Sequence, residues 1–183
     1  MKKMDKKTKI MRHIAGYAIG ITIFLVLIPW GLYHLASLID GFFGITRIAS
    51  LPVRIAVALP LLLVGLSFAA WSNASLFFRG KGGPADGFGI AVSPRTERLV
   101  TTGPYRYTRN PMVFGALSCY FSLLSFLGSI GGIVFLILLV PFIALYLRVF
   151  EERRLVADFG KDYERYRHEV SMIFPISCKK GGK

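Results

Sequence analysis

Four long apolar stretches in a chain of 183 residues constrain this sequence more than anything else in it. A hydrocarbon core about 30 Å thick is crossed by roughly 20 helical residues. Within lipid, each crossing segment must satisfy its own backbone N–H and C=O groups, which selects helices. The first stretch runs from about Ile14 to Ile39 and the second from about Leu51 to Phe78. Pro111 to about Leu127 is shorter, and Ile130 to about Phe150 returns after a Gly128-Ser129 turn fit only for a tight helical hairpin. The pattern predicts an all-α, polytopic transmembrane helix bundle of four to five spans, forming a single domain over residues 1–183. Pro29-Trp30-Gly31 predicts a kink or interfacial break in the first stretch, and Pro60 lies inside the second. A cleaved signal peptide is not expected, because the first stretch is too long and no small-residue cleavage site follows it.

Composition agrees. Hydrophobic residues make up 54% of the chain and charged residues 18%, against about a quarter charged in a soluble domain. The formal net charge is +13, from 23 Lys and Arg against 10 Asp and Glu. On a soluble protein that excess suggests nucleic acid, but here the basic residues flank apolar runs. The positive-inside rule and anionic head groups account for them, and no aromatic-interleaved platform or basic recognition helix is present. Cys119 and Cys178 make no CxxC, and His13, His34 and His168 lack metal-ligand spacing. No metal, nucleic acid or disulfide framework is expected.

Loop charge predicts orientation. Met1 to Arg12 carries six basic residues and one acid, and the 79–109 connection carries six basic residues against Asp86 and Glu97. The 40–50 connection holds only Asp40 and Arg47. With four spans, the basic segments share one side, so both termini and the long loop face the cytoplasm. Beyond the fourth span, Leu155, Phe159, Tyr163, Tyr166 and Val170 recur at three to four residues. That spacing predicts an amphipathic helix lying on the membrane face or folding back on the bundle, with Gly160 able to split it in two.

The informative segment is Arg79 to Pro111, RGKGGPADGFGIAVSPRTERLVTTGPYRYTRNP. Thirty-odd residues are more than a passive connection needs. It contains no GxxxxGK[ST], and Gly87-Phe88-Gly89 is no GxGxxG. The plain reading is a positive-inside loop whose arginines meet lipid. Asn110-Pro111 opening an apolar run marks a helix start, with Asn a candidate cap and Pro suited to the first position. Exposed amides and the dipole at such an end favour an anionic group.

Gly80-Lys81-Gly82-Gly83-Pro84, then Leu99-Val100, Gly103-Pro104-Tyr105-Arg106-Tyr107 and Arg109-Asn110-Pro111-Met112, resemble the isoprenylcysteine carboxyl methyltransferase and phospholipid methyltransferase group. The resemblance continues through a hydrophobic hairpin into Glu151-Glu152-x-x-Leu155, Phe159-Gly160-x-x-Tyr163-x-x-Tyr166 and Phe174-Pro175. It covers residues 79–175, a catalytic half following the N-terminal helices of residues 1–78. It implies an integral membrane enzyme using S-adenosyl-L-methionine, with S-adenosyl-L-homocysteine as product.

Carried across residue by residue, the resemblance implies a cofactor site of Arg98, Leu99 and Val100 before the turn, Gly103 and Tyr105 in it, and Arg109, Asn110, Pro111, Met112 and Val113 after it. Tyr105 and Tyr107 could cover the adenine or approach the sulfonium, where an aromatic face is favourable; the other reading of Tyr107 is an interfacial aromatic belt. Many members have His at Asn110 and Tyr at Val113, which puts more of the cofactor carboxylate on Arg106, Arg109 and helix amides. An acceptor-side role falls to Arg148 and Glu152, an i, i+4 pair at the end of the fourth span, with neighbouring Glu151 the alternative acid. Arg148 snorkelling beside a solvated Glu152 is the plain reading of that pair. The implied activity is methyl transfer to a lipid or lipidated acceptor from the bilayer, most like carboxyl O-methylation of an isoprenylcysteine. Phospholipid amine N-methylation is the alternative, and a non-enzymatic lipid-binding scaffold or small carrier is the reading from another class.

Overall fold

The computed structural model describes residues 11, 15–16, 18–80, 86–87, 90–91, 96 and 98–176. Most of the N-terminal basic segment and the block from residue 81 to 85 lie outside them. Helix α1 spans Ala18–Phe42 and α2 spans Leu51–Gly80. A two-residue antiparallel ladder, β1 (Asp86–Gly87) with β2 (Ile90–Ala91), interrupts the loop that follows. Helix α3 is Pro111–Leu127, α4 is Ile130–Phe159, and α5 is Lys161–Glu169.

Among the described residues, α1, α2 and α4 are long and apolar enough to cross a membrane. At 17 residues, α3 is apolar but shorter; at 1.5 Å per residue it reaches about 26 Å, near the lower limit for crossing. The protein is an all-helical, polytopic membrane bundle. Its wide apolar exterior fits that setting, with residues such as Trp30, Leu38 and Phe142 more than 60% exposed.

Helices in lipid gain little from burying apolar surface against each other, so they associate through close packing and hydrogen bonds. The α2–α3 contact shows both. A Cβ on Gly65 would stand 2.7 Å from the Gly115 carbonyl, and one on Gly115 would stand 2.8 Å from the Gly65 carbonyl. Ser122 donates across the same interface to the Ala58 carbonyl at 2.6 Å.

The 128–129 hairpin forms as expected. Gly128 takes a left-handed φ of 70° after α3, and the Ser129 side chain accepts from Gly132 N at 2.9 Å to open α4. Two charges close the helix ends here. Arg54 donates to the Phe126 and Leu127 carbonyls, and Asp40 accepts from Gly131 N at 2.9 Å.

Of the kink or interfacial break expected at Pro29-Trp30-Gly31, the break does not occur, and α1 runs through it. A π-turn over Thr22–Leu27 just upstream absorbs the proline instead. In the i to i+5 register of that turn the Phe24 carbonyl faces Pro29, which has no N–H to offer. The Tyr120 hydroxyl donates to that carbonyl at 3.0 Å, so the freed acceptor is satisfied from α3. Two further π-turns, Leu76–Gly80 and Leu147–Glu151, fall in the second half of α2 and of α4.

At Gly160, with φ 54° and ψ −130°, α4 ends and α5 begins, so the amphipathic face is divided between the last turns of α4 and α5. They fold back on the loop. Val100, Tyr105, Tyr163 and Tyr166 form a buried cluster with Leu155, Phe159 and Val170 packed on it.

Candidate functional site

The site-bearing loop is pinned from both sides. Gly103 begins a 3-10 turn, Gly103–Arg106, with φ at +69°. A Cβ there would lie 3.1 Å from Ser75 Oγ and 3.3 Å from Trp71 Nε1, so glycine serves both the dihedral and the close approach to α2. On the other side, the stretch before α3 is held by the chain after α5. Arg109 N donates to the Ser171 carbonyl at 2.9 Å, and Thr108 Oγ1 and Asn110 Nδ2 both donate to the Met172 carbonyl at 3.0 Å. The Tyr166 hydroxyl donates to the Tyr105 carbonyl at 2.6 Å in a buried setting.

These ties correct the role expected of Asn110. Pro111 opens α3 as predicted, but Asn110 makes no side-chain cap. Its φ of −124° and ψ of 62° depart from the extended conformation of a capping residue, and its amide is engaged by Met172. Asn110 is a tie between two segments.

A cleft opens between the loop and the tail. Arg98, Leu99, Val100, Tyr105 and Arg109 line one wall, and Leu155, Phe159, Tyr163 and Tyr166 line the other. Five of the residues expected to bind a cofactor therefore meet in one place. The others do not line it: Gly103 packs on α2, Pro111 is buried at the start of α3, and Val113 packs into the main helical core. Met112 is half-buried in that first turn. Tyr107 lies half-exposed beside Trp71, ring centroids 6.2 Å apart.

Phe159, Tyr163 and Tyr166, expected in an amphipathic face and in the family resemblance but not as cofactor-binding residues, also line the cleft. Their three-to-four spacing identified the face, but what it packs against depends on the fold-back at Gly160.

The Arg148–Glu152 pair expected on one helix face does not form. The π-turn passes the Glu152 N–H to the Leu147 carbonyl, five residues back, and breaks the α-helical i, i+4 register. Arg148 is exposed, and Glu151 pairs with Arg154 at 3.0 Å. Glu152 turns inward, its side chain 4% exposed, onto Arg109 at 2.5 Å. Arg167 stands 3.9 Å from its second oxygen. Nothing in the local sequence pairs residue 109 with residue 152; only the tertiary fold does.

Burial raises the pKa of Tyr105, Tyr163 and Tyr166. Tyr163 is pushed up to about 12, mainly by loss of solvent and further by the Glu152 charge, with Arg109 opposing. Desolvation raises Tyr105, and desolvation with its tyrosine neighbours raises Tyr166. All three phenols stay neutral over the physiological range.

The cleft encloses about 60 Å³, against roughly 300 Å³ or more for a drug-sized ligand site. Its walls fit a nucleoside carrying a carboxylate: aromatic and aliphatic surface, two arginines, and a buried Arg109 Nε with no hydrogen-bond partner among the described residues. A ligand of that size requires the two walls to part. A larger concavity of about 610 Å³ along residues 37–43 is open and almost wholly apolar. Among the described residues no group of three or more His, Cys, Asp or Glu is gathered for a metal.

The apolar helical bundle defines an integral membrane protein, and the arginine- and tyrosine-lined cleft between its long loop and tail is its candidate site. Residues 53–162 match the family Phospholipid methyltransferase, and the chain belongs to that family of integral membrane methyltransferases. The match begins inside α2, so the family pattern includes α2 together with the loop and the hairpin. No curated protein and no solved structure matches the chain.

Proposed function

We propose that this chain transfers a methyl group from S-adenosyl-L-methionine to a lipophilic acceptor held in the bilayer, with a carboxylate as the acceptor group. The observation that carries the donor half is the cleft, where Tyr105, Arg98 and Arg109 converge with the tail tyrosines. When bound there, the donor supplies an already activated methyl group. The chain's own task is then to hold two reactants in line and keep water away, with no covalent step of its own. Leu99, Val100 and Phe159 supply apolar surface for a base, and Arg109 supplies a buried cation for a carboxylate.

The acceptor half rests on charge. Arg148 is exposed one turn before Glu152, where an acyl or prenyl chain lying along α4 could present its polar end. A carboxylate acceptor needs a cation and no base. An amine acceptor needs its proton removed, and the nearest buried acid, Glu152, already has both oxygens engaged by Arg109 and Arg167. The family's description favours the amine as the second reading.

Product chemistry separates them. The purified chain is given methyl-labelled donor with either a prenylated cysteine or an ethanolamine phospholipid. A carboxyl methyl ester releases labelled methanol in base, and an N-methyl amine does not. Base-labile label with the prenylated cysteine is expected. Base-stable label in the phospholipid alone would replace the carboxylate reading by the amine one.

A further inference from the structure

We propose that Glu152 is a positioning residue for the donor: it holds the Arg109 guanidinium so that its unpartnered edge receives a carboxylate in the cleft. The inference rests on the donor-site reading above, and it moves Glu152 from the acceptor side to the donor side.

Three observations carry it. The Arg109 side chain is 9% exposed and the Glu152 side chain 4%, with Nη1 and Oε1 2.5 Å apart. Charges at that depth are tolerated when paired and hydrogen-bonded. A guanidinium, however, carries five N–H donors in a rigid planar fork, and one carboxylate does not use them all. Arg109 Nε is buried with no partner among the described residues, and Arg109 lines the cleft beside Tyr163. A buried charged donor left unmet is costly, so an anionic oxygen is the ligand group that gains most there. Arg167, 40% exposed, stands 3.9 Å from the second Glu152 oxygen, and Glu152 is not among the residues lining the cleft.

The competing role is a clasp that merely ties the loop to α4. A clasp would affect every ligand of the cleft alike. A positioning role would discriminate between ligands with and without a carboxylate.

The test titrates the full chain in detergent with two adenosine thioethers, S-adenosylhomocysteine, which carries a carboxylate, and 5′-methylthioadenosine, which does not. Wild type should bind the first more tightly. Glu152→Gln should weaken it by about 10-fold or more, the usual scale for a charge-assisted hydrogen bond, and leave methylthioadenosine within about twofold. Glu152→Asp keeps the charge and is the second variant should Glu152→Gln not fold. It should shift the same ratio in the same direction, by a smaller factor. Equal losses for both ligands, or no preference in wild type, would overturn the proposal. Wild type binding neither ligand is a different result: it removes the donor reading itself, and this inference with it.

Discussion

A tyrosine withdrawn from water holds its proton more tightly, because the phenolate loses the solvent that would stabilise it. Tyr163, raised from 10.0 to about 12, does so beside Glu152. A folded-state pKa above the unfolded one contributes stability that is complete below about pH 10 and is lost as pH rises towards 12. The unfolding temperature of the detergent-solubilised chain should therefore hold steady to about pH 10 and then fall. Tyr163→Phe should make that fall shallower, and an unchanged profile would show that the phenol is not buried as described. Tyr166→Phe tests a different bond. It strips the donor from the buried Tyr105 carbonyl and should cost about 1–3 kcal/mol, the penalty of an unmet buried acceptor. A melting temperature equal to wild type would contradict the contact.

Helices were the most legible elements, because length and hydropathy alone determine where a segment can cross. The predicted Pro111–Leu127 matches α3 end for end, and Gly128-Ser129 behaves as its spacing implied. Proline was less legible. Pro29-Trp30-Gly31 read as a kink or an interfacial break; the break is absent, because a π-turn and one hydroxyl from α3 let α1 continue. Of the site, the loop residues from Arg98 to Arg109 were legible through their resemblance to a family. The partner of Glu152 was not, because a π-turn changes which face a residue occupies without leaving a mark in composition. Small residues explain the tightest element contact, and they give a direct test. Gly115→Val places a side chain against the Gly65 carbonyl and Ala69 N and should cost about 1–3 kcal/mol by overpacking. Gly31→Ala meets nothing within 4 Å and should be neutral or slightly stabilising. Equal thermal shifts from the two would mean that α2 and α3 do not pack at this point.

At the scale of the whole molecule, the charge asymmetry and the cleft coincide. The long loop and the tail that build the cleft are the basic segments, so the proposed orientation puts the donor site in the cytoplasm, where a polar cofactor arrives from water. In the proposed reaction the acceptor enters from the side, where Phe77, Phe78 and Phe150 expose apolar surface at the ends of α2 and of the membrane-crossing part of α4. Ser50→Cys and Thr101→Cys, each in a chain with Cys119 and Cys178 changed to serine, test this with an impermeant thiol reagent on intact cells. Position 50 should label and position 101 should not, and the reverse pattern would invert the topology. The central claim, a donor site that works without metal, is tested most directly by calorimetric titration of the full chain with S-adenosylhomocysteine in the presence of a chelator. The account predicts saturable heat with micromolar affinity and a raised melting temperature, both lost in Arg109→Ala. Absence of heat and of any thermal shift at saturating ligand would contradict it.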